Sequence, residues 1–302
     1  MRSGVARGLL GAILAGVLLL VAGCGEVPSE GERDTPRFVT TIPPFEMILR
    51  PVVGRRGTVE RLLAPGATPH TYDPTPSDLR ATTEATALFF GGASLDGWAA
   101  DLPASRRLAM IDLLPAEARR GFDGAGHGGV AGVDPHFWTD PLAVKRLLPA
   151  LADTLCAIDE GGCPVYRANA DSFATALAAL DTRLHTLLEP VREQPVMLAR
   201  PFFRYFLHRY GPRLVGIVEL HPGTEPTPRE LGRLVERAGA AEARALLVQE
   251  SVSERTARAV AEAAALPLVA LDPLGGTEER STYADLLLDN GRRLREGLGP
   301  PR

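Results

Sequence analysis

The sequence is poor in the features that mark many catalytic and nucleic-acid-binding chains. Its formal net charge is −4, and no stripe of Lys and Arg is present to grip a phosphate backbone, which argues against a nucleic-acid partner. The glycine-rich segment "GAGHGGVAGVD" (124–134) is followed by no Gly-Lys-Ser/Thr, so it is not a phosphate loop. It reads as a linker that holds His127. Neither His-Glu-x-x-His nor Gly-x-Ser-x-Gly occurs, which removes the usual signatures of zinc proteases and serine hydrolases. Cysteine is scarce too, with three in 302 residues. Beyond the N-terminus no apolar run is long enough to cross a membrane.

The N-terminus is what the rest is not. Arg2 and Arg7 precede an apolar run from Leu9 to Ala22, and Val21-Ala22-Gly23-Cys24 closes it. The run is short for a spanning helix and suits a signal-peptide core. Small residues directly before a cysteine resemble the lipobox, in which Cys24 is lipidated and becomes the new N-terminus. Residues 1–23 are therefore expected to be removed, and the polar stretch 24–36 to be a tether. An exported chain makes a disulfide between Cys156 and Cys163 plausible, because they flank the turn-like "AIDEGG".

About 265 residues remain, more than one comfortable core, so two domains are expected. Apolar runs at 37–42, 58–63, 85–92, 195–199, 213–220, 243–250 and 266–272 read as strands, with segments of helical period between them. That alternation predicts an α/β fold with mostly parallel sheets. Helix starts are marked by Thr75-Pro76-Ser77-Asp78, Thr227-Pro228-Arg229-Glu230, Ser251-Val252-Ser253-Glu254 and Asp140-Pro141. Between Tyr166 and Glu189, Phe173, Leu177, Leu180, Leu184 and Leu187 recur at spacings of four, three, four and three. One long amphipathic helix is predicted there. It joins a lobe at 37–160 to one at 191–302 through a linking segment at 161–190.

Ligands of open α/β sheets bind beyond the carboxyl ends of strands. Two histidines lie in such loops, His70 in "PGATPHTYDPTPSD" and His136 in "GVDPHFWTDP", each stiffened by a preceding proline. Asp272, in "ALDPLGG", ends the last apolar run. Two imidazoles and a carboxylate suit zinc, manganese or iron(II). Taken alone, a histidine in a loop is usually a surface residue. Trp98 and Trp138 read as packing groups, His185 as a helix residue, and Arg106, Arg107, Arg119 and Arg120 as solvated.

These stretches are carried by a wider pattern. "TTIPPFEMILRPVVG", "LLAPGATPHTYDPTPSDL", "ALFFGGASLDGW", "DPHFWTDP", "YRANADSF", "RYFLHRYG", "LVQESVSE", "LDPLGG" and "TYADLLLDN" follow one another along nearly the whole mature chain. In that order they resemble the solute-binding proteins of zinc and manganese ABC importers, the cluster A-I or cluster 9 family. The resemblance implies two α/β lobes joined by a rigid backbone helix, a zinc or manganese ion held between them as cargo, and a partner permease and ATPase. It also implies a lipid-anchored monomer facing the periplasm or cell exterior, and no catalysis. His70 and His136 fall on the first two family ligands and Asp272 on the fourth.

The third ligand departs from the pattern. The family's His-x-x-aromatic-x-Tyr-Phe motif here reads Arg200-Pro201-Phe202-Phe203-Arg204-Tyr205-Phe206. Arginine has no lone pair to offer and stays protonated. Near a metal each pair of unit charges at about 4 Å costs roughly 4 kcal/mol at an effective dielectric near 20. Three accounts are open. Metal binds through His70, His136 and Asp272, with water or His221 completing the shell and Arg200 paired to Glu250, Asp78 or another acid. Alternatively, Arg200 pairs with Asp272 and replaces the cation, leaving a metal-free pseudo-receptor. In the third, Arg200 contacts an anionic ligand through its fork. His208, on the helix beyond Arg200, is a weaker substitute ligand. A secreted metal-dependent hydrolase using the His/His/Asp set is the reading from a different class, and no motif supplies its base.

Overall fold

The computed structural model describes residues 35–121, 132–219, 227–250 and 255–299. Cys24, His127, His221 and the helix start at Ser251 lie outside the described residues. The first half of the chain carries strands β1 (Arg37–Thr40), β2 (Thr58–Arg61), β3 (Ala87–Phe90) and β4 (Arg107–Ala109), and helices α1 (Pro43–Val53), α2 (Pro76–Glu84), α3 (Met110–Leu113) and α4 (Pro141–Ile158). Helix α5 (Cys163–Leu188) leads to the second half. There lie β5 (Pro195–Leu198), β6 (Arg213–Ile217), β7 (Ala245–Gln249) and β8 (Leu268–Leu271), with α6 (Arg204–Tyr210), α7 (Pro228–Ala240), α8 (Arg255–Ala263) and α9 (Tyr283–Leu298).

Two four-stranded sheets result, in the orders β2-β1-β3-β4 and β6-β5-β7-β8. Every pairing is parallel, with Phe38 opposite Ala87 in the first and Val196 opposite Ala245 in the second. Parallel sheets have helices on their faces, so their strands read as unbroken apolar runs. Strand β3, "ALFF", is buried at all four positions for that reason. Strand β4 has no counterpart among the runs expected from sequence. Its three residues, "RLA", lie at the sheet edge and are at most half-buried, so no apolar run marks them.

Local chemistry sets the helix starts. Thr75 and Thr227 close full capping boxes with Asp78 and Glu230, each before a proline at the first turn. Asp140 caps α4 by accepting the Leu142 N–H, 2.8 Å away. Each such cap contributes about 1 kcal/mol.

Helix α5 runs 26 residues, about 39 Å at 1.5 Å per residue. Its Leu177, Leu180, Leu184 and Leu188 are buried, and it packs on α4, α1 and α9. A disulfide between Cys156 and Cys163 closes the turn from α4 into α5. The two halves share one apolar cluster, which includes Phe38, Phe45, Leu151, Leu184, Phe203 and Leu287. Trp138 stitches them further. Its indole N–H donates to the Pro273 carbonyl, and its own carbonyl accepts the Tyr283 hydroxyl.

Candidate metal centre

Arg200 and Asp272 follow the carboxyl ends of β5 and β8, and His70 lies in the segment after β2. Contrary to the sequence expectation, His136 does not sit in a strand-following loop, because α3 and a further segment separate it from the end of β4. His70 comes after β2 on the 3-10 turn Pro69–Thr71, and His136 directly precedes the 3-10 turn Phe137–Thr139. The fold brings these two together, with ring centroids 6.0 Å apart and planes inclined at 55°.

Hydrogen bonding fixes which nitrogen of each ring is available. His70 Nδ1 lies 3.1 Å from the Ser94 carbonyl oxygen. A carbonyl can only accept, so Nδ1 carries the proton and Nε2 keeps its lone pair. His136 Nδ1 lies 2.8 Å from Asp134 Oδ1, which also accepts the His136 backbone N–H. The carboxylate likewise assigns the proton to Nδ1 and leaves the lone pair on Nε2. Asp134 is fully buried, and its other oxygen accepts from Arg204 at 3.2 Å. A carboxylate behind an imidazole is the support that metal-binding histidines commonly have. Burial, then the neighbouring His136 and Arg200, pushes the His70 imidazolium down to about 4 against the opposing pull of Ser94. Its ring is therefore neutral at pH 7, as ligation requires.

The carboxylates behave differently. Asp272 Oδ1 accepts the Leu274 and Gly275 N–H groups, and Oδ2 accepts from Arg280. Asn290 pins the backbone on both sides, donating to the Asp272 carbonyl and accepting its N–H. Arg280 also donates to Glu250 at 2.7 Å and approaches Asp289 at 3.5 Å. Burial pulls the Arg280 guanidinium down, but Glu250, Asp272 and Asp289 outweigh it and hold it above its ordinary value. Among the described residues, no three His, Cys, Asp or Glu side chains gather to hold a metal. The two histidines meet; Asp272 stands with an arginine.

Arg200 does not pair with Glu250, Asp78 or Asp272, as the sequence allowed. Its Nε donates to Glu219 Oε2 at 3.0 Å, and Nη2 lies 3.0 Å from the same oxygen. The sheet order explains this. Strand β6 flanks β5, and the Glu219 N–H donates to the Ala199 carbonyl, so Glu219 stands beside Arg200. Glu250 ends β7 and is held by Arg280 and Arg293, while Asp78 is engaged in the α2 cap. Asp272 lies a strand farther off, at the end of β8. His208 is exposed on α6.

Sequence reasoning missed Glu219, Arg280 and Asp134. Glu219 ends an apolar run as Asp272 does, a positional signal that was available. Asp134 stands two residues before His136 in "DPH", which is the reach of a short side chain folding back on its own loop. Nothing local marks Arg280, whose partners come from three separate elements.

The family model described as ZnuA, zinc-uptake complex component A, periplasmic, matches residues 38–297. The high-affinity zinc uptake system protein ZnuA of Paracoccus denitrificans is 30% identical over 319 aligned residues, 93% of this chain and 98% of the relative. The manganese-binding lipoprotein MntA of Halalkalibacterium halodurans is 27% identical, covering 93% and 95%. Among solved structures, the periplasmic zinc binding protein TroA of Treponema pallidum superposes with a TM-score of 0.75 at 19% identity, over 88% of this chain and 99% of that one. A crystal structure of ZnuA does so at 0.72 and 23%, over 88% and 100%. The family match over residues 38–297, most of the chain, places this protein in the family described as ZnuA, zinc-uptake complex component A, periplasmic.

Proposed function

We propose that this protein captures a divalent transition metal, zinc or manganese, between its two sheet-bearing lobes and hands it to the permease of an ABC importer. Its relatives include a zinc-uptake protein and a manganese-binding lipoprotein, and one solved structure of this fold is a complex with Mn2+. The observation that carries the reading is the pair of imidazoles with both Nδ1 atoms occupied and, among the described residues, no hydrogen-bond partner at either Nε2.

In this reading His70 and His136 take the ion first, and Asp272 joins by exchanging Arg280 for the metal. Water completes the shell. Arg200 stays outside it, its charge offset by Glu219. Capture needs ligand exchange and small movements, not bond-breaking chemistry. Cys24 carries the lipid anchor, the protein works as an exported monomer, and the permease and its ATPase are the partners.

A second reading rests on the two arginines. Arg200 lowers the His70 pKa from nearby, and Arg280 already neutralises Asp272. They favour a pseudo-receptor without metal. Calorimetric titration of chelator-treated protein with zinc and with manganese decides. One ion per chain is expected for at least one of them; no saturable heat with either establishes the pseudo-receptor. Cys24→Ala is expected to release the protein from membranes, and continued lipid labelling of that variant would refute the anchor.

A further inference from the structure

Between the segment before Gly121, the start of α4 and α6 lies a cavity of about 560 Å³ to which the metal reading gives no role. Arg119, Arg120, Arg146, Arg204, Arg209 and His208 line it, and Glu117 and Asp140 are the only acids on its wall among the described residues. The cations come from three places: the segment before Gly121, the first turns of α4, and α6. They enclose a space with predominantly polar walls.

Most of these arginines are already held. Arg209 donates to both oxygens of Asp181 at 2.6 and 2.7 Å. Arg204 donates to Asp134 and to the Gly121 carbonyl. Arg119 donates to the Leu114 and Asp112 carbonyls. Asp140 is engaged with the N-terminus of α4. Arg120 and Arg146 are different, because among the described residues neither guanidinium has an acceptor. The Arg120 side chain is half-buried and lies over the Tyr205 ring, 5.6 Å from its centroid. Desolvation lowers its pKa although Tyr205, Asp140 and Asp134 pull the other way. Burial lowers His208 as well, and Arg120 and Arg209 add to that. Both shifts reflect burial first. Arg120, stacked on a ring, and Arg146, exposed on α4, therefore keep their N–H donors open to solvent or to a ligand.

We propose that this cavity binds a phosphate-class oxyanion, either a soluble phosphate compound or a lipid headgroup. Guanidinium forks match phosphate oxygens in pairs, and cations converging from three directions suit a tetrahedral anion better than a planar carboxylate. Arg120 and Arg146 supply the open donors. Arg204 and Arg209, fixed by their acids, set the positive field around them. The proposal does not rest on the metal reading: Arg204 touches Asp134, the support of His136, but the open donors Arg120 and Arg146 touch none of His70, His136 or Asp272.

The test is calorimetric titration of chelator-treated protein with inorganic pyrophosphate, with Arg120→Gln/Arg146→Gln as the binding variant. Lys145→Gln, one residue along α4 and off the cavity wall, controls for loss of charge. One pyrophosphate per chain is expected, with affinity falling about tenfold or more in the double variant and unchanged in the control. Thermal melting in the absence of ligand checks that both variants fold. Cosedimentation of the Cys24→Ala protein with phosphatidylglycerol vesicles separates the sources: loss of sedimentation in the double variant assigns a headgroup, and pyrophosphate binding alone assigns a soluble phosphate. Absence of both signals overturns the proposal. So does binding of either probe that survives Arg120→Gln/Arg146→Gln.

Discussion

Among the described residues His70 and His136 each keep a nitrogen lone pair unengaged, whereas Asp272 and Glu219, at the ends of β8 and β6, are each held by an arginine. The contrast follows from charge. A neutral imidazole can wait in a half-buried cleft at little cost, but a carboxylate there needs a cation. The chain meets that need with Arg280 and Arg200. On the proposed reading the imidazoles are open to a ligand, while the carboxylates already have their cations.

The largest effect should come from erasing the open side of this contrast. His70→Ala/His136→Ala is expected to lower zinc affinity by about three decades or more; stoichiometric zinc retained by the double variant would sink the site assignment. Breaking the closed side comes next. Arg280→Met removes an 8% exposed cation that faces Glu250, Asp272 and Asp289, and stability should fall by about 3 kcal/mol. Zinc should raise the melting temperature of this variant more than that of the wild type, because Asp272 is freed. An equal rise in both would show that Asp272 takes no part.

Arg200→His restores a lone pair beside Glu219, which can then orient the new imidazole. Zinc affinity should rise by about ten- to a hundredfold; no change would mean that position 200 lies out of reach of the ion. Asp134→Asn is the mildest of the metal-site changes. It keeps an acceptor for His136 but weakens it, and about tenfold in affinity should be lost, read by competition with a chromogenic chelator.

Stability should respond to pH through His70 as well. Its folded pKa, about 4, lies below the unfolded value near 6.5. The unfolded chain therefore binds the extra proton first, and the metal-free protein loses stability as pH falls from about 6.5 towards 4. Titration of the His70 ring by NMR near its unfolded value would contradict this.

The sheets were largely legible because buried parallel strands are spelled as apolar runs. Seven of them stand in the sequence, and the exception, "RLA" at 107–109, is an edge strand with little to bury. Helix α5 was legible from its leucines, and the capping boxes at Thr75 and Thr227 from three-residue spacings. His70 and His136 stood out because a Pro-His pair in a loop is local information. Arg200 was visible as an anomaly, but its partner was not. Pairing across β5 and β6 depends on sheet order, which no short window carries. Arg119 and Arg120 read as solvent-facing, yet they line a cavity because α6, over eighty residues later, closes it. Ion pairs among distant elements are the part of a fold that periodicity leaves unsaid.

Arg280 has one further consequence. It is joined to Asp272 by a short loop, so dilution lowers the concentration of every competing ion but not that of this guanidinium. A cation that bonds only to oxygen meets a tethered rival of constant strength. One that also bonds tightly to imidazole nitrogen has a means of overcoming it. If Asp272 takes the ion as proposed, the short turn from β8 to α9 sets a threshold, fixed by chain length, that cations such as sodium and magnesium must exceed to displace the guanidinium.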